Sequence, residues 1–234
     1  MVTSVLLNNV DHRDLKVITE RGAAYGDDVM YALTFPAEFR SIQAHYPIVF
    51  GKSAEGQFQP LALLGFQREQ NLFLGADGWD AGYVPLTIER QPFLIGTGRE
   101  MLVHVDLDSP RISRTHGEAL FREHGGTTEF LDHMGSLLRT LHQGLAGVGP
   151  FIGALLEHDL IESFVFDVQL AGGATHRLAG FYTIHEERLA NLGAAALESL
   201  HRAGHLQAIY MIVASIAHFP ALAERQNRRN ARDR

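Results

Sequence analysis

The sequence predicts an α+β fold, a curved antiparallel sheet covered by a long helix and C-terminal helices. Two changes of pattern predict it. Up to residue 126, short apolar runs are set off by proline, glycine and asparagine, the punctuation of strands and turns. From Thr127 the apolar residues recur every three or four positions, the period of an amphipathic helix. Strands first and helices afterwards, interrupted by one hairpin, is the order of an α+β chain rather than of repeated βαβ units. A length of 234 residues fits one domain over 1–234: mainly strands over 1–126, helices with a hairpin over 127–222, and a basic tail over 223–234.

The elements follow in order. "PAEFRSIQAHY" (36–46) puts Phe39, Ile42 and Tyr46 on one helical face, with Pro36 suited to the first turn. "HYPIVFG" (45–51), "QPLALLGF" (59–66) and "QNLFLGA" (70–76) read as a meander, joined by a long loop at 52–59 and a tight hairpin at 67–70. "VPLTIERQPFLIG" (84–96) and "EMLVHVDLDS" (100–109) read as two more strands, and Ser109-Pro110 stops the second in a helical turn or loop. Phe130, Met134, Leu137, Leu138, Leu141 and Leu145 line the long helix, which Gly147, Gly149 and Pro150 break before 151–159 resumes it. A hairpin over 161–184 turns at "AGGAT" (171–175), where glycines supply positive φ. Thr183 and Glu186 have the spacing of a capping box. A helix at 195–204 closes on Gly204, and "LQAIYMIVASIAHF" (206–219), apolar nearly all round, predicts a buried helix stopped at Pro220.

Composition excludes several functions. No cysteine is present, so disulfides, thiolate metal sites and cysteine nucleophiles are absent. A net charge of −7 gives no support for nucleic acid as a partner. The segment from Glu224 carries five arginines against two acids and leaves the rest of the chain at −10, a pattern expected of a solvated, fraying helix end. No signal peptide and no uninterrupted apolar run of spanning length stand out, which predicts a cytoplasmic protein that does not span the membrane, other export routes being left open. The apolar 206–219 helix is either central to the fold or a homo-oligomer contact.

The motifs speak weakly for catalysis. His104, Asp106 and Asp108 alternate, so on a strand they share one side, and a histidine with two carboxylates is a weak candidate for a metal-dependent enzyme. The plainer expectation is a solvent-facing strand end with Asp108 serving the Ser109-Pro110 turn and no bound metal. No nucleophile elbow or phosphate loop occurs, and no cofactor is implied.

Five blocks carry a resemblance: "EFRSIQAHYPIVF" (38–50), "LLGFQREQNLFL" (63–74), "GWDAGYVPLTIERQPF" (78–93), "VDLDSPR" (105–111) and "GFYTIHEERLANLGAAALESLHRAGHLQAIYMIVASI" (180–216). In that order they resemble the SapC family. The resemblance implies a soluble bacterial protein, from a family named for a surface-layer locus and often encoded near outer-membrane uptake receptors and flavin-dependent halogenase-like proteins. It implies no established activity, and the membrane permeases that share the name are a different family. The family's usual R-R-x-P-F reads Glu89-Arg90-Gln91-Pro92-Phe93 here, so an anion held by the cationic pair would find Arg90 alone. Trp79, Tyr83 and Arg90 are accordingly the expected ligand-binding rim. The expected function is a non-catalytic accessory or binding protein of envelope, surface-layer or nutrient-uptake systems, with an unknown ligand or protein partner.

Overall fold

The computed structural model describes residues 4–96, 102–169 and 175–232. The first half contains strands β1 (Ser4–Leu6), β2 (Lys16–Val17) and β3 (Tyr31–Leu33), the one-turn helix α1 (Phe39–Ile42), then β4 (Ile48–Lys52) and β5 (Phe58–Leu63). A two-residue hairpin, β6 (Leu74–Gly75) and β7 (Gly78–Trp79), leads to α2 (Leu86–Glu89), β8 (Phe93–Ile95), β9 (Val103–Asp106), β10 (Ile112–Ser113) and β11 (Glu118–Ala119). The second half has α3 (Glu129–Ala146), α4 (Val148–Glu157), β12 (Ile161–Gln169), β13 (Thr175–Ile184), α5 (Glu186–Ala190), α6 (Ala194–Arg202), α7 (His205–Ser215) and α8 (Phe219–Arg232).

The α+β class holds, with all strand pairs antiparallel. The main sheet is drawn from both halves of the sequence, in the order β12-β13-β4-β5-β3. β4 is buried at Ile48, Val49 and Phe50, which explains its continuous apolar run: a central strand covered on both faces need not alternate. A second sheet, β1-β9-β8, and the small β10-β2-β11 sheet form another layer. The long helix α3 packs on this second layer, with Leu131, Met134, Leu137, Leu138 and Leu141 meeting Phe93, Val105 and Leu120 in one core. α1, α4 and α7 contribute Phe39, Ile42, Phe151, Leu155, Ile209 and Ile212 to the core of the main sheet.

Several expectations change. Residues 70–76 are not a third meander strand, and 67–70 is not a hairpin. Gln70 and Asn71 are buried, and their side chains take backbone groups that a strand would have paired: Gln70 Oε1 accepts from Phe66 N and Asn71 Oδ1 from Phe73 N. The segment 84–96 is split, because Pro85 opens α2 before β8 begins. Ser109-Pro110 does lie in a turn that ends the strand, and β10 follows it. β13 runs on through Ile184, so Thr183 stays in the sheet and His185 caps α5 instead, its ring accepting from Arg188 N. The glycine turn expected at 171–174 lies outside the described residues.

The 206–219 helix is neither enclosed nor stopped at Pro220. α7 buries Ala208, Ile209, Ile212 and Ser215 but leaves Tyr210 half exposed, and Pro220 sits in the first turn of α8, where its missing N–H costs nothing. The helical run His205–Arg232 is long and apolar enough, by length and composition, to cross a membrane. In this fold it packs on the main sheet, where Ser215 Oγ accepts from Ile48 N at 2.8 Å. The basic tail is a helix end: up to Arg232 it belongs to α8, which buries Leu222 and Gln226 and leaves Arg228, Arg229 and Arg232 exposed.

Candidate functional site

The block Thr34–Tyr46 builds a buried polar cluster. Phe39, Ile42 and Tyr46 point into the core, and Glu38, just ahead of α1, is drawn in with them at 4% exposure. Its carboxylate accepts from Thr34 Oγ1 at 2.7 Å, Tyr83 OH at 3.0 Å and Leu86 N at 2.7 Å, the last being a free amide at the start of α2. Burial nonetheless pushes the Glu38 carboxyl above its ordinary range, the three donors opposing it. Tyr46 OH donates to the Tyr83 carbonyl and accepts from Trp79 Nε1 at 2.8 Å. Burial raises both tyrosines, with the Glu38 charge adding to the shift at Tyr83.

Trp79 and Tyr83 are thus brought together, both half-buried against the main core. Arg90 is not part of that cluster. Its Nη1 donates to Phe93 O at 2.6 Å, closing the turn before β8, and burial lowers its pKa. Glu89 Oε1 stands 3.6 Å from His133 Nε2 on α3.

The alternating acidic strand end does not converge. His104 Nδ1 lies 3.3 Å from Ser4 Oγ across the β1–β9 pair. Asp106 Oδ1 accepts from Asp108 N, a bond that shapes the turn into Ser109-Pro110. Among the described residues, no three histidine or carboxylate side chains are grouped to hold a metal ion.

A second buried hub joins the two layers. Arg111 and Asp27 are both fully buried, with Arg111 Nη2 at 2.7 and 2.6 Å from the two carboxylate oxygens. Asp27 also accepts from Gly22 N, while Arg111 Nη1 donates to the carbonyls of Ile18 and Glu20. The Asp27 carbonyl accepts from the buried Asn71 side chain. Two unpaired charges here would be costly; each charge has its counter-ion, and Arg111 Nε is left buried without a hydrogen-bond partner.

The open chemistry is elsewhere. A cavity of about 490 Å³ lies between α8, the 22–28 loop and the 69–80 segment. Arg225, Arg228, Arg229 and Arg232 wall one side, spaced by three, one and three residues so that they share a helix face. Asp28, Glu69 and Asp80 stand on the other walls. Arg225 is fixed by Asp80, Nη1 to Oδ2 at 2.6 Å and Nη2 to the carbonyl at 3.0 Å, with its guanidinium 4.4 Å from the Phe73 ring centre. Trp79, Tyr83 and Arg90 are not on this wall, although Trp79 is next to Asp80 in the chain.

The family model described as SapC matches residues 7–222. This chain belongs to the SapC family. No curated protein matches, and no solved structure does. In this SapC protein the resembling blocks map mostly onto the buried frame: Glu38 and Tyr46 in the first, Gln70 and Asn71 in the second, Trp79 and Tyr83 in the third, Arg111 closing the fourth. The Asp27–Arg111 hub escaped sequence reasoning because its members are 84 residues apart. The arginine face left a signal in the i, i+3, i+4, i+7 spacing of 225, 228, 229 and 232, hidden by treating those residues as a tail.

Proposed function

We propose that this SapC protein is a non-catalytic binding or accessory protein, acting on the cytoplasmic side in support of bacterial envelope, surface-layer or nutrient-uptake systems, without spanning the bilayer. One observation carries the reading. The two buried carboxylates, Glu38 and Asp27, are saturated by hydrogen bonds internal to the fold, which leaves neither poised as a base or a ligand. The unsatisfied charge faces an open cavity instead, as a binding surface requires. The tie to the envelope rests on family kinship.

Fractionation of the bacterium that encodes the chain tests this. The protein is expected in the soluble fraction or released from membranes by alkaline washing, and a gene deletion is expected to impair uptake or surface-layer assembly. Retention in the membrane after alkaline washing overturns the placement, and a deletion strain with normal uptake and surface layer overturns the role.

A further inference from the structure

Apart from the Arg225–Asp80 pair, the charged side chains that line the α8 cavity are not paired with one another. Arg228, Arg229 and Arg232 make no ion pair or side-chain hydrogen bond among the described residues, and neither do Asp28 and Glu69 on the opposite walls. Asp28 is half-buried and lacks a protein partner. Arg225 is already committed to Asp80 and holds the helix against the 69–80 segment. The cavity therefore has a fixed end, a cationic wall and a separate acidic wall.

That division discriminates among ligands. A guanidinium presents paired N–H groups that match phosphate or carboxylate oxygens, so three free arginines on one face favour an anion. A bare anion is a poor fit, because it would bring more negative charge toward Asp28 and Glu69 and leave both without donors. A neutral or purely cationic molecule would leave the arginines unused. The ligand that satisfies both walls carries an anionic group at one end and hydroxyl or ammonium donors at the other. About 490 Å³ is the size of a small organic molecule rather than an ion.

We propose that this cavity binds an anionic sugar, with its phosphate or carboxylate on Arg228, Arg229 and Arg232 and its hydroxyl or amino groups on Asp28 and Glu69. The proposal rests on the binding reading above and supplies its ligand class. The binding energy comes from charge-assisted hydrogen bonds, which are roughly twice as strong as neutral ones. Asp80, the neighbour of Trp79, lies on the wall, so the single tryptophan is placed to report binding.

Calorimetric titration of the full chain with glucosamine 6-phosphate, glucose 6-phosphate, glucosamine and inorganic phosphate tests it, with Trp79 emission as a second readout. The sugar phosphates are expected to bind at least about tenfold more tightly than either half-molecule, a difference of about 1.4 kcal/mol. Arg228→Ala and Arg232→Ala are expected to weaken sugar phosphate binding by about tenfold or more, the worth of one charge-assisted contact. Asp28→Asn is expected to abolish any preference for the amino sugar while keeping phosphate affinity. Circular dichroism of each variant establishes that the fold is retained. Absence of saturable binding, equal affinity for inorganic phosphate, or binding indifferent to both arginine substitutions overturns the proposal. These outcomes leave the envelope role standing, because fractionation and deletion are read without any ligand.

Discussion

At the scale of single residues, Glu38 and the Asp27–Arg111 pair each make a prediction of their own. Glu38 has its folded pKa raised, burial outweighing three donors, so the native state keeps a proton that the unfolded chain has released. Its contribution to stability is fully present below the ordinary carboxylate range and is lost as pH rises through the folded value. Glu38→Gln is permanently neutral, so wild-type melting temperature relative to that variant should fall as pH climbs from the ordinary carboxylate range toward neutrality. A wild type that gains on the variant over that window would show that the donors from Thr34, Tyr83 and Leu86 outweigh desolvation. Asp27 and Arg111 are buried together as an ion pair, Nη2 2.6 Å from Oδ2. Asp27→Ala leaves an uncompensated guanidinium and should cost about 3–5 kcal/mol by urea denaturation. The exposed Arg188–Asp159 pair, broken by Arg188→Ala, should cost no more than about 1 kcal/mol. If the two substitutions cost the same, the buried hub is not the anchor that its geometry indicates.

Among the elements, those read correctly from sequence are the ones whose own residues decide them. The long helix was legible because its core face repeats within α3 and Thr128 caps it, accepting from Leu131 N. The hairpin 161–184 was legible from its paired apolar runs, but not that it would add β13 to β4 through Tyr182 and Phe50, a contact more than a hundred residues apart in sequence. The 70–76 segment failed for a similar reason, since Gln70 and Asn71 act on backbone groups that only the fold brings near. For the site, Trp79 and Tyr83 were picked out as a ligand-binding rim, whereas Tyr46, which bonds both, and Glu38, which bonds Tyr83, were read only as helix residues. One helix position gives a direct test of packing against propensity. Gly144 on α3 faces Phe35, whose ring would lie 2.2 Å from an added Cβ. Alanine is the better helix former by about 1 kcal/mol, yet Gly144→Ala should destabilise by about 1–3 kcal/mol, because the fully buried Phe35 must move. Equal or higher stability on chemical denaturation would mean that α3 can shift away from Phe35.

Taken whole, the molecule has two apolar cores: one under the main sheet and one between α3 and the β1-β9-β8 layer. We propose that they fold as one domain, because the joints between them are buried rather than linker-like. Val148, where α3 gives way to α4, packs against both cores. The Arg111–Asp27 pair ties the 18–20 and 111 segments to Asn71 beside the main sheet. Separating the layers there would part the Arg111 guanidinium from the Asp27 carboxylate, a cost that couples the two halves. The single tryptophan makes the coupling measurable, since Trp79 packs on the first core while Leu138 lies deep in the second. Leu138→Ala removes buried apolar volume and should cost about 2–5 kcal/mol. If the chain is one cooperative unit, the Trp79 emission midpoint in urea will fall by the same amount as the midpoint from far-ultraviolet circular dichroism, although the substitution is in the other core. If the Trp79 transition stays where it is while the helical signal melts early, the two cores unfold independently and the single-domain assignment fails.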